Sequence, residues 1–316
     1  MEWRKMSCIS RASGIADLPP PVAVCCHDAG GANLIAAWAA AEPAREYRIC
    51  AQGPARAIFA QLLPGHDSRS LPAALDGAGC LLSGSGWAGD LEHESRLAAR
   101  RRGVPALAVL DHWVNYRTRF VRNDVEALPD VFIVTDAAAA QLAVEVFGVL
   151  RPIVMWRNRY LENEAARVVA LSSRRPCAPP ARLLVVLEPV RQDWDADATE
   201  PAEFRALDYL MENLGALTPR PEDLMIRLRP HPAESRSKYR PWAARQRHSR
   251  LELSAGAPLA EDLAWADAVA GLQSYALVVA LAARRRAVSY LPPGAPACGL
   301  RYPGIERLAE LHKGGS

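Results

Sequence analysis

The sequence contains no Cys-x-x-Cys pair, no apolar run long enough to span a bilayer, no long tract of Lys and Arg, and no Gly-x-Gly-x-x-Gly fingerprint in the turn after its first apolar run. Each absence removes a class of function. Seven cysteines, Cys8, Cys25, Cys26, Cys50, Cys80, Cys177 and Cys298, fall mostly in apolar stretches without ligand spacing. A zinc site and a disulfide frame are therefore disfavoured, and reduced thiols of a cytoplasmic protein are expected. Lys and Arg number 38 against 35 Asp and Glu, and with no basic stripe this near balance argues against a nucleic-acid partner. Short arginine clusters at residues 100–102, 174–175 and 284–286 read as solvated helix ends, with peripheral contact to an anionic membrane surface as the minor alternative. Residues 1–18 lack the apolar segment of a signal peptide, and no integral membrane segment is expected.

What is present is an alternation. At 316 residues, 50% of them apolar, the chain is long enough for two cores. Unbroken apolar runs at 22–26, 47–51, 80–82, 106–110, 131–135 and 153–155 predict strands, with helical spacing between them over 33–41, 55–63, 91–102 and 137–147. Strands without polar alternation, separated by helices, imply parallel sheets covered on both faces. The proline-rich end of 165–180 reads as a linker. Strands at 182–187, 224–228, 251–253, 268–270 and 287–291 and helices over 203–214 and 274–283 then follow. The expected organisation is a flexible arm (1–20), a Rossmann-like domain (21–170), a linker (171–181) and a second Rossmann-like domain (182–316) ending in a helix over 305–312. Their strand ends would face a central cleft, where doubly wound sheets bind ligands.

Candidate chemistry clusters at the strand ends. The first strand runs into His27-Asp28-Ala29-Gly30-Gly31-Ala32-Asn33, where two glycines allow close approach and a helix start offers N–H groups to an anion or sugar. Asp28 as a plain helix cap is the bland alternative. The third strand ends in Ser83-Gly84-Ser85, a turn able to hold a hydroxylated ligand, followed by Glu92 and Glu94. The helix dipole accounts for both acids, with Glu94 kept as a secondary site candidate. The fourth strand delivers Asp111, His112, Asn115 and Arg119, and a carboxylate there is poor core material. Asp111 or His112 could be the general base, and sequence does not choose between them. In the second half, Glu188 ends one strand, Arg227, Arg229, His231 and Pro232 end the next, and Gln273 and Ser274 open a helix. Arginine, histidine and a helix start together suit a phosphate ester.

Leu228-Arg229-Pro230-His231-Pro232-Ala233-Glu234, with Leu259-Ala260-Glu261-Asp262-Leu263 and the segment Ala266 to Ser274, resembles the carboxyl half of GT-B-fold glycosyltransferases. It is most similar to sialyltransferase-like, Kdo-transferase-like and CDP-glycerol-transferase-like bacterial enzymes. The resemblance implies that His231 binds the donor phosphate and protonates or screens it, assisted by Ser274. In the sialyltransferase-like members an acidic pair followed by glycine supplies the base, and here only Asp111 of Asp111-His112-Trp113 matches it. Many sugar-nucleotide enzymes of this fold place a Glu on the donor ribose. The helix after Ser274 reads Tyr275-Ala276-Leu277-Val278-Val279-Ala280, which turns the expectation from a UDP-hexose towards a CMP donor.

The expected function is thus a metal-independent glycosyltransferase without cofactor, in bacterial surface polysaccharide or protein glycosylation. It would move a sugar such as a nonulosonic acid from CMP to a glycan, lipid-linked or protein hydroxyl. Gly30, Gly31, Asn33, Ser83, Ser85, Glu94, Asn115 and Arg119 would line the acceptor side, with Asp111, His112, Asp28 and His27 catalytic. Two alternatives are a nucleotide-sugar hydrolase or 2-epimerase, in which His27 or Asp28 activates water or the sugar, and a non-catalytic binding subunit of the same fold.

Overall fold

The computed structural model describes residues 9–311 apart from 87, 150, 191–193, 195–198 and 232–233, so Pro232 and His312 lie outside the described residues. The chain forms two compact units that divide between Tyr160 and Leu161.

The first unit is a six-stranded sheet. Its strands are β1 (Val22–Cys26), β2 (Tyr47–Ala51), β3 (Cys80–Ser83), β4 (Ala106–Val109), β7 (Val131–Val134) and β8 (Ile153–Met155), with a small antiparallel hairpin of β5 (Val121–Arg122) and β6 (Val125–Glu126) beside it. The sheet order is β2-β1-β3-β4-β7-β8, every pairing parallel. Alternate residues divide between two cores. Val22, Val24 and Cys26 join Ile35, Trp38 and Phe59 on one face, while Ala23 and Cys25 join Leu75 and Ala99 on the other. Both faces being buried is why these strands read as unbroken apolar runs.

The second unit is also a six-stranded parallel sheet, of β9 (Arg182–Val186), β10 (Met225–Arg229), β11 (Leu251–Leu253), β12 (Ala268–Gly271), β13 (Arg286–Ser289) and β14 (Ile305–Arg307). Its order is β11-β10-β9-β12-β13-β14. Each sheet has one place where neighbouring strands lead their connections in opposite directions, β1/β3 in the first unit and β9/β12 in the second. At such a switch point the carboxyl ends of the two strands leave a crevice for a ligand.

Four expectations are corrected. Residues 9–18 are not a free arm, because Ile9, Ala12, Ile15 and Leu18 are buried in the first core and Trp156 Nε1 donates to the Ala12 carbonyl at 2.7 Å. Burial of each large aliphatic there is worth about 1.5–3 kcal/mol, which offsets part of the conformational entropy lost on ordering the segment. The stretch before residue 171 is helical, Arg159–Leu171. The proline-rich stretch after it is clasped by buried Asp267, which accepts from Arg174 Nη2 at 2.8 Å and from the N–H groups of Cys177, Ala181 and Arg182 at 3.0 Å each. Burial opposes that charge, yet Arg174 and the N–H groups hold its carboxyl below the usual carboxylate range. Finally, Ile305–Arg307 is an edge strand paired with β13 rather than the start of a helix, and a short helix follows over Leu308–Leu311. Cys25, Cys26, Cys50 and Cys80 are free and buried, and Cys177 is free and exposed.

Candidate functional site

At the β1/β3 switch point, His27 Nδ1 and Asp28 Oδ1 are 2.7 Å apart, both side chains about one-quarter exposed. Asp28 occupies the cap position of the Ala29–Ala40 helix but makes no side-chain cap hydrogen bond. A capping aspartate would turn onto the helix N–H groups; this one turns to the histidine. The cap alternative therefore falls.

Behind the dyad stands Glu92, fully buried in the first turn of the Leu91–Arg101 helix. Its Oε1 accepts the His27 N–H at 2.7 Å, and Oε2 is buried with no hydrogen-bond partner among the described residues. Burial pushes this carboxyl up, against the pull of the His27 N–H. One turn on, Arg96 is buried over the Phe120 ring and donates to Ser83 Oγ and to the carbonyls of Gly84 and Ala127. Burial brings its guanidinium down to about 9.

Asp111 follows β4. Its Oδ1 meets Arg119 Nη1 at 2.6 Å and Ser85 Oγ at 3.5 Å, with the Asp111 side chain 15% exposed. Its neighbour His112 packs against Trp113 with the rings tilted at 60°, and burial lowers its affinity for a proton despite the charge on Asp111. Glycines keep the shelf between these groups bare. A Cβ on Gly30 would lie 1.7 Å from Asp111 Oδ2, and one on Gly86 would lie 2.4 Å from Asp28 Oδ2. A Cβ on Gly53, whose φ is +49°, would lie 2.7 Å from His27 Nε2, so the turn and the histidine both demand glycine there. Gly31 meets the Gly84 backbone, where a Cβ would come within 2.9 Å. The site is thus a glycine floor with Asp28, His27 and Asp111 at its edge and Glu92 beneath.

Other acceptor-side candidates have local roles. Ser83 is buried under Arg96, and Ser85 and Arg119 hold Asp111. Asn115 is exposed with φ +58°, and its carbonyl accepts from Arg119 N–H and Thr118 Oγ1, which makes it a turn former. Asn33 is half-buried on the Ala29–Ala40 helix. Glu94 is exposed, and Glu92, which the sequence reading gave to the helix dipole, is the acid that reaches the site.

At the β9/β12 switch point the arrangement is different. Glu188, just past β9, accepts from the N–H of Leu272 at 2.9 Å and of Gln273 at 3.0 Å, directly before the Tyr275–Ala282 helix. Burial pushes its carboxyl up to about 7 against those N–H groups. Ser274 caps the helix through Ala276 N–H at 3.2 Å, and Gln273 Oε1 accepts from Gly299 N–H at 3.1 Å. The two arginines expected on a phosphate are engaged elsewhere. Arg229 Nη1 lies 2.5 Å and Arg227 Nη1 3.2 Å from the carboxylate of buried Asp262, and Arg227 also pairs with Glu252 and stacks on Trp265 at 4.0 Å. They fasten β10 to the Leu259–Trp265 helix. His231 is exposed just beyond β10.

Among solved structures, the UDP co-structure of Staphylococcus aureus MnaA aligns with TM-score 0.55 at 12% identity, covering 85% of this chain and 78% of that one. The UDP-GlcNAc 2-epimerase of Methanocaldococcus jannaschii gives 0.54 at 11%, covering 85% and 83%. That of Neisseria meningitidis bound to UDP-GlcNAc gives 0.55 at 9%, covering 81% and 78%. The fold is GT-B-like. No protein-family model matches the chain, and no curated protein matches it.

On this GT-B-like scaffold the sequence pointed to His27, Asp28, Gly30, Gly31 and Asp111, and the structure brings these to one shelf. It missed Glu92 and Arg96. A Glu in a first helical turn looks the same whether it faces solvent or a strand end, and the one available signal was its spacing one turn from an arginine. Among the described residues no three His, Cys, Asp or Glu side chains converge to hold a metal ion, and no helix is long and apolar enough to cross a membrane.

Proposed function

We propose that this chain is an enzyme of nucleotide-activated sugars, and that it inverts the carbon next to the phosphate-bearing carbon of a UDP-linked amino sugar, a 2-epimerase reaction. The observation that carries this reading is the gathering of Asp28, His27 and Asp111 around one glycine floor with Glu92 beneath. A transferase needs one base for an acceptor hydroxyl. Inversion needs a base to take a proton from one face of the sugar and an acid to return one to the other, so several acid–base groups on one shelf suit it better. Loss of the C2 proton with departure of UDP from C1 gives an alkene, and return of a proton to the opposite face of C2 with return of UDP to C1 on its original face gives the epimer with atoms balanced. Asp111, held by Arg119, and the Asp28–His27 dyad are the candidate base and acid. The likeness to UDP-GlcNAc 2-epimerases supports the same reading at the level of fold.

The test is incubation with UDP-GlcNAc in deuterated water without acceptor, followed by NMR. Deuterium at C2 with an epimer is the expected result; unchanged substrate with no exchange overturns it. The second reading is a glycosyltransferase with a CMP or other donor and a hydroxyl acceptor. The strand-end Arg229-Pro230-His231 segment favours it, and turnover that requires an acceptor would select it.

A further inference from the structure

Cys25 on β1 and Cys50 on β2 are register partners in a parallel pairing. Both side chains enter the core on the side of Leu75 and Ala99. Neighbouring strands lie about 4.8 Å apart, inside the Cα separation of about 4.4–6.8 Å that a disulfide spans. The other two buried cysteines of this sheet serve as a control. Cys80 is the register partner of Val22, four residues before Cys26, which sets the two thiols about 13 Å apart along the strand. They cannot pair. The thiols of the first pair are unlike each other. Cys25 is fully buried and donates to Cys50, which holds Cys50 below the ordinary thiol range against burial, and the charge of exposed Arg56 adds to that. The same hydrogen bond, with burial, pushes Cys25 well up. A thiol readily ionised beside a cation, with a protonated thiol against it, is the arrangement of an attacking and a resolving cysteine.

We propose that Cys25 and Cys50 are an oxidisable dithiol, a modification site for hydroperoxides whose closure to a disulfide is felt at His27. The Cys50 thiolate attacks the terminal peroxide oxygen and the O–O bond breaks. The departing alkoxide, or hydroxide from hydrogen peroxide, takes up the proton that Cys50 gave up, and Cys50 is left as a sulfenic acid. Cys25 then attacks the Cys50 sulfur, the S–O bond breaks, and the Cys25 proton leaves with the hydroxide as water. The two thiols lose two electrons and two protons, and the peroxide gains them. The bond closes two residues before His27 and three before Gly53. These strand ends are already tied, Gln52 N–H to the Cys26 carbonyl at 3.0 Å and Ala55 N–H to the His27 carbonyl at 3.1 Å, and Gly53 lies against the His27 ring. Drawing the two sulfurs together to about 2.05 Å therefore shifts His27 against the Gly53 turn. None of these steps depends on which substrate the shelf takes.

Treatment of the native full-length protein with hydrogen peroxide, alkylation of the remaining thiols after denaturation, and tryptic mass spectrometry test this. The expected result is peptide 12–45 joined to peptide 49–56, lighter by two hydrogens than the separate pair, with fragmentation between Cys25 and Cys26 placing the link on Cys25. Recovery of both thiols alkylated, or a link from Cys50 to Cys26, overturns the proposal. In Cys25→Ser the link must be lost and Cys50 must be captured by dimedone as a sulfenic acid; a Cys50 that stays unoxidised there overturns its role as the attacking thiol. In wild type alone, the His27 imidazole resonances must shift on oxidation and return when a thiol reductant opens the bond. A link formed with those resonances unmoved overturns the coupling to the site.

Discussion

The two units solve the same problem at their switch points with the parts exchanged. In the first, an acid carried by the helix after β3, Glu92, reaches back to the N–H groups that follow β1. In the second, an acid that follows β9, Glu188, reaches across to the N–H groups that follow β12. Glu92 is fully buried and Glu188 half-buried, and burial raises both carboxyls. The difference lies in what is left over. The first unit has satisfied its backbone from beneath, which leaves Asp28, His27 and Asp111 above a bare floor. The second has placed its acid directly on the N–H groups before its helix and tied Arg227 and Arg229 to Asp262. A shared fold therefore does not make two equivalent sites; where the buried acid comes from decides whether the crevice offers acids or N–H groups.

The sharpest break of this comparison is Asp111→Asn. Loss of general base catalysis should lower turnover by about 10²–10⁴-fold with UDP affinity changed less than about twofold, read from steady-state rates and calorimetry. An equal loss of affinity would mean that the first unit also holds the nucleotide. Gly30→Ala should act nearly as strongly, because the added methyl collides with a carboxylate that Arg119 holds in place. Asp262→Ala should leave turnover chemistry intact but destabilise the second unit by about 3–5 kcal/mol, since two partly buried guanidiniums lose their shared partner. Chemical denaturation checks this.

Glu188→Gln sharpens the comparison through pH. A carboxyl whose folded value lies above its unfolded one binds an extra proton in the native state. Its stability contribution is therefore largest below the unfolded value of 4.5 and is lost as pH rises to about 7. That interval corresponds to roughly 3 kcal/mol, so wild type should lose stability over it and the Gln variant should not, as urea midpoints at pH 4.5 and 8 would show. The smallest effect is Glu94→Ala, an exposed site expected to stay within about 0.5 kcal/mol of wild type.

The central strands β1, β3, β4, β7 and β12 were legible in the sequence because each is buried on both faces, which leaves a run such as Val22-Ala23-Val24-Cys25-Cys26 with no polar interruption. Edge strand β14 was not, since Ile305-Glu306-Arg307 pairs on one side only and carries its charges outward to Arg286 and solvent. His27, Asp28 and Asp111 were legible because acids and histidines at the end of an apolar strand have few structural excuses. Arg227 and Arg229 misled for the opposite reason. Their partner Asp262 lies more than thirty residues on, and two arginines at a strand end look identical whether they await a phosphate or already hold a carboxylate. The linker misled because proline density reports a break in periodicity and says nothing of a single aspartate able to gather the segment.

The tie between Trp156 and the segment at Ala12 has a consequence for how the protein is made. Trp156 Nε1 closes onto the Ala12 carbonyl across 144 residues, and its ring meets Trp38 at 4.8 Å. On a ribosome adding roughly 5–20 residues per second, Ile9, Ile15 and Leu18 wait on the order of ten to thirty seconds for the side chain that seals them in. The first unit is therefore finished last-to-first, with its opening residues and its closing strand meeting in one late step.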